Sequence, residues 1–335
     1  MSGVVFTPRG PFSLAAGLGF LEGFAPAPYQ SGQDRTLRLA FPSDDGCFTV
    51  TAAVQQDETT VATQAGTVRA EVTLHSTGTH GAAPASSVVG EGLGEKAAAD
   101  VARILSLDVD ATRFIALGST DPVVGGLVDE FPGLRPVCFN SPYEAAAWAV
   151  IGSRVRMSHA AAVKRLLAQR HGHRVAVAGQ ELSAFPAPPV LQAITSFPGL
   201  TKEKIRRLHA VAEAAIAGEL DPARLRALPA REALAALQEL PGIGPFSAEL
   251  VLIRGAGHPD HFPRHEPRLH AAMADAYTLK GQAAGVPALA RIAERWAPYR
   301  SWVALLLRAH ADPGITAIRN PKSQPGKQTD HARGA

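Results

Sequence analysis

Leu240-Pro241-Gly242-Ile243-Gly244-Pro245-Phe246-Ser247-Ala248 stands between two stretches whose apolar residues recur at helical spacing, and its reading decides the fold. One helix is expected to end near Leu240 and a second to start near Pro245, where a proline fits the first turn because no partner awaits its missing N–H. Between them, Gly242 and Gly244 allow a tight turn and leave the amides uncovered. Amides opening onto a helix N-terminus attract anions. On duplex DNA that anion is a phosphate, a contact that positions a protein without reading sequence. A bare Gly-x-Gly also suits a helix C-cap followed by an ordinary turn. The full context, with the small hydroxyl residue Ser247 before Ala248, favours a DNA-binding hairpin with Gly242, Ile243, Gly244 and Ser247 as contact residues.

Outward from the hairpin, the chain reads as helical from about 95 to 312. Helices are expected over Ala97–Leu107, Pro142–Gly152, Ser158–Arg170, Pro188–Ile194, Lys202–Gly218, Ala230–Leu240, Pro245–Gly255, Glu266–Tyr277, Val286–Trp296 and Ser301–His310. Ser158, Thr201 and Ser301 are the N-cap signals. Residues 1–78 differ. Phe12–Phe24 is apolar at helical spacing, whereas Thr36–Phe41, Cys47–Val54, Thr60–Gln64 and Val68–His75 alternate or are β-branched, with turns such as Ser43–Gly46 between them. The expected fold class is α+β: an N-terminal domain (1–78) with a small antiparallel sheet and one helix, a Gly/Ala/Ser/Pro linker (79–94), a helical domain (95–318) and a disordered polar tail (319–335).

Composition sets outer limits. The 335 residues suffice for two or three domains, and 46% hydrophobic with 19% charged residues is ordinary globular usage. Thirty-three Lys/Arg against 30 Asp/Glu give a net charge of only +3, which by itself announces no nucleic-acid binder. The basic residues are nonetheless clustered, at Arg154, Arg156, Lys164 and Arg165 and at Lys202, Lys204, Arg206 and Arg207. Two distant cysteines, Cys47 and Cys138, exclude a four-cysteine iron–sulfur cluster and a structural zinc by count, and make a disulfide framework unexpected. With no signal peptide and no apolar run of ~18 residues, the expectation is a soluble cytoplasmic protein.

Leu237–Gly255 resembles the helix-hairpin-helix of the HhH-GPD superfamily of DNA glycosylases, and more narrowly is similar to the type II 3-methyladenine, or alkylated-base, branch. Pro142–Val155 resembles the family's earlier helix, and Glu294-Arg295-Trp296-Ala297-Pro298-Tyr299-Arg300-Ser301-Trp302 matches its late Trp-x-Pro-aromatic-Arg-Ser segment. The small N-terminal domain belongs to that branch too, so the likeness covers residues 1 to 312. It implies a helical core of two subdomains, duplex DNA with damaged bases as the partner, action as a monomer at the nucleoid, and no cofactor. A monovalent cation on the backbone carbonyls of Gln238, Leu240 and Ile243 is the one metal it implies.

Base excision needs a carboxylate beside the anomeric carbon, where positive charge builds as the base departs. The family places an Asp at the start of the helix after the hairpin, and the matching residue here is Glu266. Read alone, a Glu there also suits the helix dipole; Asp260 is a second candidate. Phe246 occupies the position at which glycosylases that also cut the backbone carry a Schiff-base lysine, which implies a monofunctional enzyme. Arg154 falls where a side chain fills the gap left by the flipped base. Arg308 falls where the alkylated-base enzymes place an aromatic pocket wall, which puts a cationic substrate in doubt. His265 and Trp296 are further pocket candidates, although Trp296 and Trp302 also have the spacing of core residues. His258, His261, His265 and His270 gather nearby, but Pro263 and Pro267 break any helix that could make a metal site of them. The expected function is a monofunctional glycosylase acting on damaged, first of all alkylated, bases. The competing expectation is a lesion-binding protein that lost excision with its Asp.

Overall fold

A computed structural model describes residues 2–23, 34–57, 66–77 and 87–312 of the chain. The N-terminal part comprises β1 (Ser2–Phe6), α1 (Leu14–Glu22), β2 (Leu37–Pro42), β3 (Phe48–Gln56) and β4 (Val68–Ser76). Then follow α2 (Ser87–Ile104), α3 (Leu117–Thr120), α4 (Pro122–Glu130), α5 (Pro142–Gly152), α6 (Met157–His171) and the hairpin β5 (Arg174–Val177) and β6 (Gln180–Ser183). The rest is α7 (Pro188–Gln192), α8 (Lys202–Ile216), α9 (Pro222–Ala227), α10 (Ala230–Gln238), α11 (Pro245–Leu250), α12 (Pro267–Ala276), α13 (Val286–Ala293) and α14 (Arg300–His310). No helix among the described residues is long and apolar enough to cross a membrane.

The sheet is antiparallel throughout, in the order β1-β4-β3-β2. Its strands alternate as a half-buried sheet requires: Leu37, Leu39 and Phe41 of β2 and Val68, Ala70 and Val72 of β4 face the core. Against that face pack Leu14, Leu18 and Leu21 of α1, whose N-cap Ser13 accepts the Ala16 amide at 3.1 Å. One core therefore joins the sheet to α1, α2 and α4, and also to Leu269, Leu289, Trp296 and Leu306 from the end of the chain. A second core, with Tyr143, Ile151, Leu167, Leu208, Leu237 and Val251, belongs to α5–α11. The chain thus leaves the first body after α4, builds a second, and returns at α12. Buried Arg135 pins the early loop to the first body by donating to the carbonyls of Arg9, Gly10, Pro11, Ser106 and Val109.

Several expectations change. Residues 87–94, read as linker, are the first two turns of α2; its later turns bury Ala97, Val101 and Ile104 against the sheet, and that packing overrides weak local propensity. Residues 79–86, the expected strand Thr60–Gln64 and the tail from 319 lie outside the described residues. Strand β1, the β5–β6 hairpin and helices α3, α4 and α9 were not anticipated. Thr201 caps α8 as expected, accepting the Lys204 amide at 3.2 Å. Ser158 lies inside α6, and Ser301 binds a neighbouring loop instead of capping α14.

Candidate active site

The hairpin forms as its punctuation dictates. Helix α10 ends at Gln238, the Ile243 amide donates to the Leu240 carbonyl at 3.0 Å, and α11 starts at Pro245. Gly242 sits at φ +89°, a region that disfavours side chains, and a Cβ there would lie 2.6 Å from Cδ of Arg207. Ile243 is buried as the anchor, while Gly244 is exposed and caps α11 without a side-chain bond. The amides of Gly242 and Gly244 have no backbone acceptor among the described residues. Arg207 of α8 thus lies against the turn. One turn earlier in α8, Lys204 Nζ donates to the Ile151 carbonyl at 2.7 Å, at the end of α5. The next turn holds Arg154, exposed and at φ +56°, a left-handed backbone unusual for a residue with a side chain. Hairpin, basic α8 and Arg154 accordingly form a connected surface.

Behind the hairpin, α11 passes into a π-turn, Val251–Gly255, and a cavity of about 230 Å³ opens between this segment and α14. At ~30 Å³ per liquid water it holds roughly seven waters, the scale of one heterocyclic base. Phe20, Phe246, Leu250, Ile253, Pro263 and Leu305 supply apolar walls, and Glu249, Arg254, Glu266, Arg308 and Asp312 supply charge. Phe246 is 50% exposed at its mouth.

Glu266 is the residue before α12, yet its side chain makes no capping bond; it faces the cavity and accepts Arg308 Nε on Oε1 at 2.7 Å. Oε2 carries no partner among the described residues. The structure brings Glu266 and Arg308, 42 positions apart, into one ion pair on the pocket wall.

What holds Glu266 in place is a residue the sequence reading passed over. Glu249, only 3% exposed, projects from α11 and accepts the backbone amides of Arg264 (2.9 Å) and His265 (3.0 Å). The same carboxylate meets Nδ1 of His265 at 3.0 Å and Nε2 of His261 at 3.4 Å. A carboxylate can only accept, so both imidazoles present N–H groups to it. Burial pushes the Glu249 carboxyl up, but the His261 donor, the Arg264 amide and the two His265 donors outweigh it and hold it below its ordinary range. Ser301 Oγ adds a second tether, accepting the His261 amide at 3.0 Å and donating to its carbonyl at 2.9 Å. The signal available was a lone carboxylate in the otherwise apolar run from Ala248 to Ile253.

Other candidates resolve differently. Asp260 is engaged in a two-pronged pair with Arg300, 2.7 and 2.8 Å, and does not line the cavity. His265 lies beside the cavity as a partner of Glu249, outside its lining. Trp296 is fully buried: its Nε1 donates to Tyr277 Oη (3.3 Å) and Asp121 Oδ2 (3.4 Å), and its ring stacks on Tyr277. It is core and not pocket wall, because the late segment turns its rings toward α4 and α12. His258, His261, His265 and His270 are each spent on local contacts, and no group of three or more metal-ligating side chains among the described residues is placed to hold a metal ion. At the hairpin, the Leu240 carbonyl takes one amide, and Gln238's, in the last turn of α10, meets no backbone donor outside its helix. Oxygen donors of this kind suit a hard cation.

No family model matches the chain. It is 31% identical over 208 residues to DNA-3-methyladenine glycosylase 2 of Escherichia coli K12, covering 58% of this chain and 68% of that one. DNA-3-methyladenine glycosylase of Bacillus subtilis is 27% identical over 161 residues, 47% of this chain and 53% of the relative, so the chain spans about half of that relative's length. In structure it resembles the 3-methyladenine DNA glycosylase from Archaeoglobus fulgidus, with a TM-score of 0.69 at 19% identity over 93% of this chain and 98% of the other. The 8-oxoguanine glycosylase/lyase of Clostridium acetobutylicum shares the fold more distantly, TM-score 0.58 at 14% identity over 96% and 97%. The hairpin, the carboxylate that follows it and the 31% match agree, and the chain belongs to the helix-hairpin-helix superfamily of DNA glycosylases, in the branch of the DNA-3-methyladenine glycosylases.

Proposed function

We propose that the chain is a monofunctional DNA glycosylase that hydrolyses the N-glycosidic bond of a damaged base in duplex DNA, with alkylated purines first among the classes to test. One observation carries the reading: the Glu266 carboxylate stands on the wall of a base-sized cavity directly behind the hairpin, with one oxygen anchored and the other open. The hairpin amides and Arg207 hold a phosphate, Arg154 enters the stack where the base leaves, and the base swings into the cavity. As the bond to C1′ breaks, its electron pair leaves with the base and positive charge develops on the sugar. Glu266 stabilises that charge, and Oε2 accepts the proton of the water that adds to C1′. The products are an abasic site and the free base; a cationic base leaves neutral, and an uncharged one takes up a proton from solvent as it leaves, while Glu266 returns the water's proton to solvent.

A lyase step needs an amine nucleophile. Phe246 stands at the hairpin position where one would be, and no lysine lines the cavity. The carbonyls of Gln238, Leu240 and Ile243 are the groups that would hold a monovalent cation and add positive charge toward the bound phosphate. One copy carries every element named, which suits a monomer working on chromosomal DNA in the cytoplasm.

The test is single-turnover base release, native against Glu266→Gln. Loss of roughly 10²–10⁴-fold in rate with binding to abasic-site duplex unchanged is the expected result. The competing reading is binding without excision, with the Glu266 carboxylate retained by Arg308. Tight lesion binding without release of any base would establish that reading instead.

A further inference from the structure

The hydrogen-bonding edge that α14 turns toward the cavity is cationic. Two guanidinium groups line the cavity. Arg308 reaches in from α14 and uses Nε on Glu266, and its Nη1 and Nη2 make no hydrogen bond among the described residues. Arg254, from the π-turn, lies with its guanidinium 5.2 Å over the Phe20 ring and donates to the Val137 carbonyl. One aromatic wall is therefore already covered by a protein cation. Of the three carboxylates, Glu249 is taken up by the 261–265 loop, Glu266 gives one oxygen to Arg308, and Asp312 stands two residues beyond the end of α14. A positively charged base is held by open aromatic faces or unopposed carboxylates. Arg308 sets beside them a planar fork of N–H donors, which repels a cation and matches a carbonyl oxygen beside a ring nitrogen.

Resting on the excision reading above, we propose that the pocket selects uncharged modified purines whose edge carries hydrogen-bond acceptors over cationic N-alkylpurines, and that Arg308 is the specificity-determining residue. Hypoxanthine and ethenoadenine are probes of the first class, 7-methylguanine and 3-methyladenine of the second. Because Arg308 also holds Glu266, removing it slows release of every base alike. The informative quantity is the ratio of neutral to cationic release within one variant, from which that common loss cancels.

The experiment measures single-turnover release of the four bases from matched duplexes, each divided by its spontaneous release, for the native chain, Arg308→Met and Arg308→Lys. The native ratio is expected to favour the neutral pair. It should fall roughly 10- to 100-fold in Arg308→Met, the discrimination of one good guanidinium contact, and less in Arg308→Lys, which keeps the charge. A ratio unchanged between the native chain and Arg308→Met overturns the assignment of Arg308, and a native ratio favouring the cationic pair overturns the substrate class. Release of no base by any variant overturns the excision reading and this inference with it.

Discussion

Replacing Glu249 by Gln tests whether the catalytic loop is positioned from the hairpin helix. The carboxylate receives four donors, two of them backbone amides 2.9 and 3.0 Å away. Gln keeps one oxygen and sets an NH2 group among donors. With its oxygen in the Oε1 place only the His265 amide loses its acceptor; with the two groups exchanged the Arg264 amide and both imidazoles do, so the first orientation is the less costly. A buried donor left unmade costs about 1–3 kcal/mol. Arg264 and His265 are exposed enough for water to recover part of this, which places the expected loss at about 1–2 kcal/mol. At ~2 °C per kcal/mol for a chain of this size, Tm falls about 2–4 °C. Glu266 follows His265 directly, and a displacement of about 1 Å there costs roughly 100-fold in single-turnover rate. Binding to abasic-site duplex should stay native, since the hairpin turn is untouched. The pH dependence has a definite sign. Glu249 is held below its ordinary 4.5. Its contribution is therefore full above that value and lost as pH falls through the depressed one. The stability gap between native and variant chains should be constant from neutral pH to about 5 and close at lower pH. Native Tm and native release rate in Glu249→Gln would refute the reasoning, and a gap that widened toward low pH would refute the sign.

Gly242→Ala forces a Cβ into the left-handed region and within 2.6 Å of Arg207 Cδ; it should cost about 1–2 kcal/mol in chemical denaturation and weaken duplex binding measurably at fixed salt. Phe246 supplies no amine, so borohydride should trap no covalent complex of the native chain with DNA while base release proceeds; a trapped adduct would contradict monofunctional chemistry.

The hairpin was legible because its cause is local: proline and glycine act on their own φ angles, and the turn they specify is the turn observed, although Ile243, read as a contact residue, turns its side chain inward. The sheet strands with clean alternation were legible for the same kind of reason. Strand β1 was not, since five residues become a strand only through pairing with β4, Ser2 opposite Val72. Glu249 was hidden for a related reason. Nothing around it says that a loop 12 to 16 residues later will fold back and present four donors. Trp296 shows the opposite failure. A tryptophan at a helix end looks alike as pocket wall and as core, and only its enclosure by Tyr277, Phe262 and Asp121 decides. The reading of 87–94 as linker rested on small residues, whose weak preferences yield to packing once Val101 and Ile104 meet the sheet.

On the correspondence that the sequence resemblance implies, Glu266 and Arg308 are one departure from the family pattern and not two. Relative to Asp, a Glu carries an additional methylene and torsion, and ordering such a side chain costs up to about 2 kcal/mol unless something restrains it. Arg308 supplies that restraint at 2.7 Å, fixing Oε1 and so the direction of Oε2. An aromatic wall at 308 would leave the longer carboxylate unheld, and an Asp at 266 would fall short of the guanidinium and leave a cation unmatched in the cavity. Each substitution makes sense only with the other. If the proposed roles hold, one contact governs both where the carboxylate points and which base is welcome beside it, and catalysis and selectivity in this pocket cannot then be altered independently at position 308.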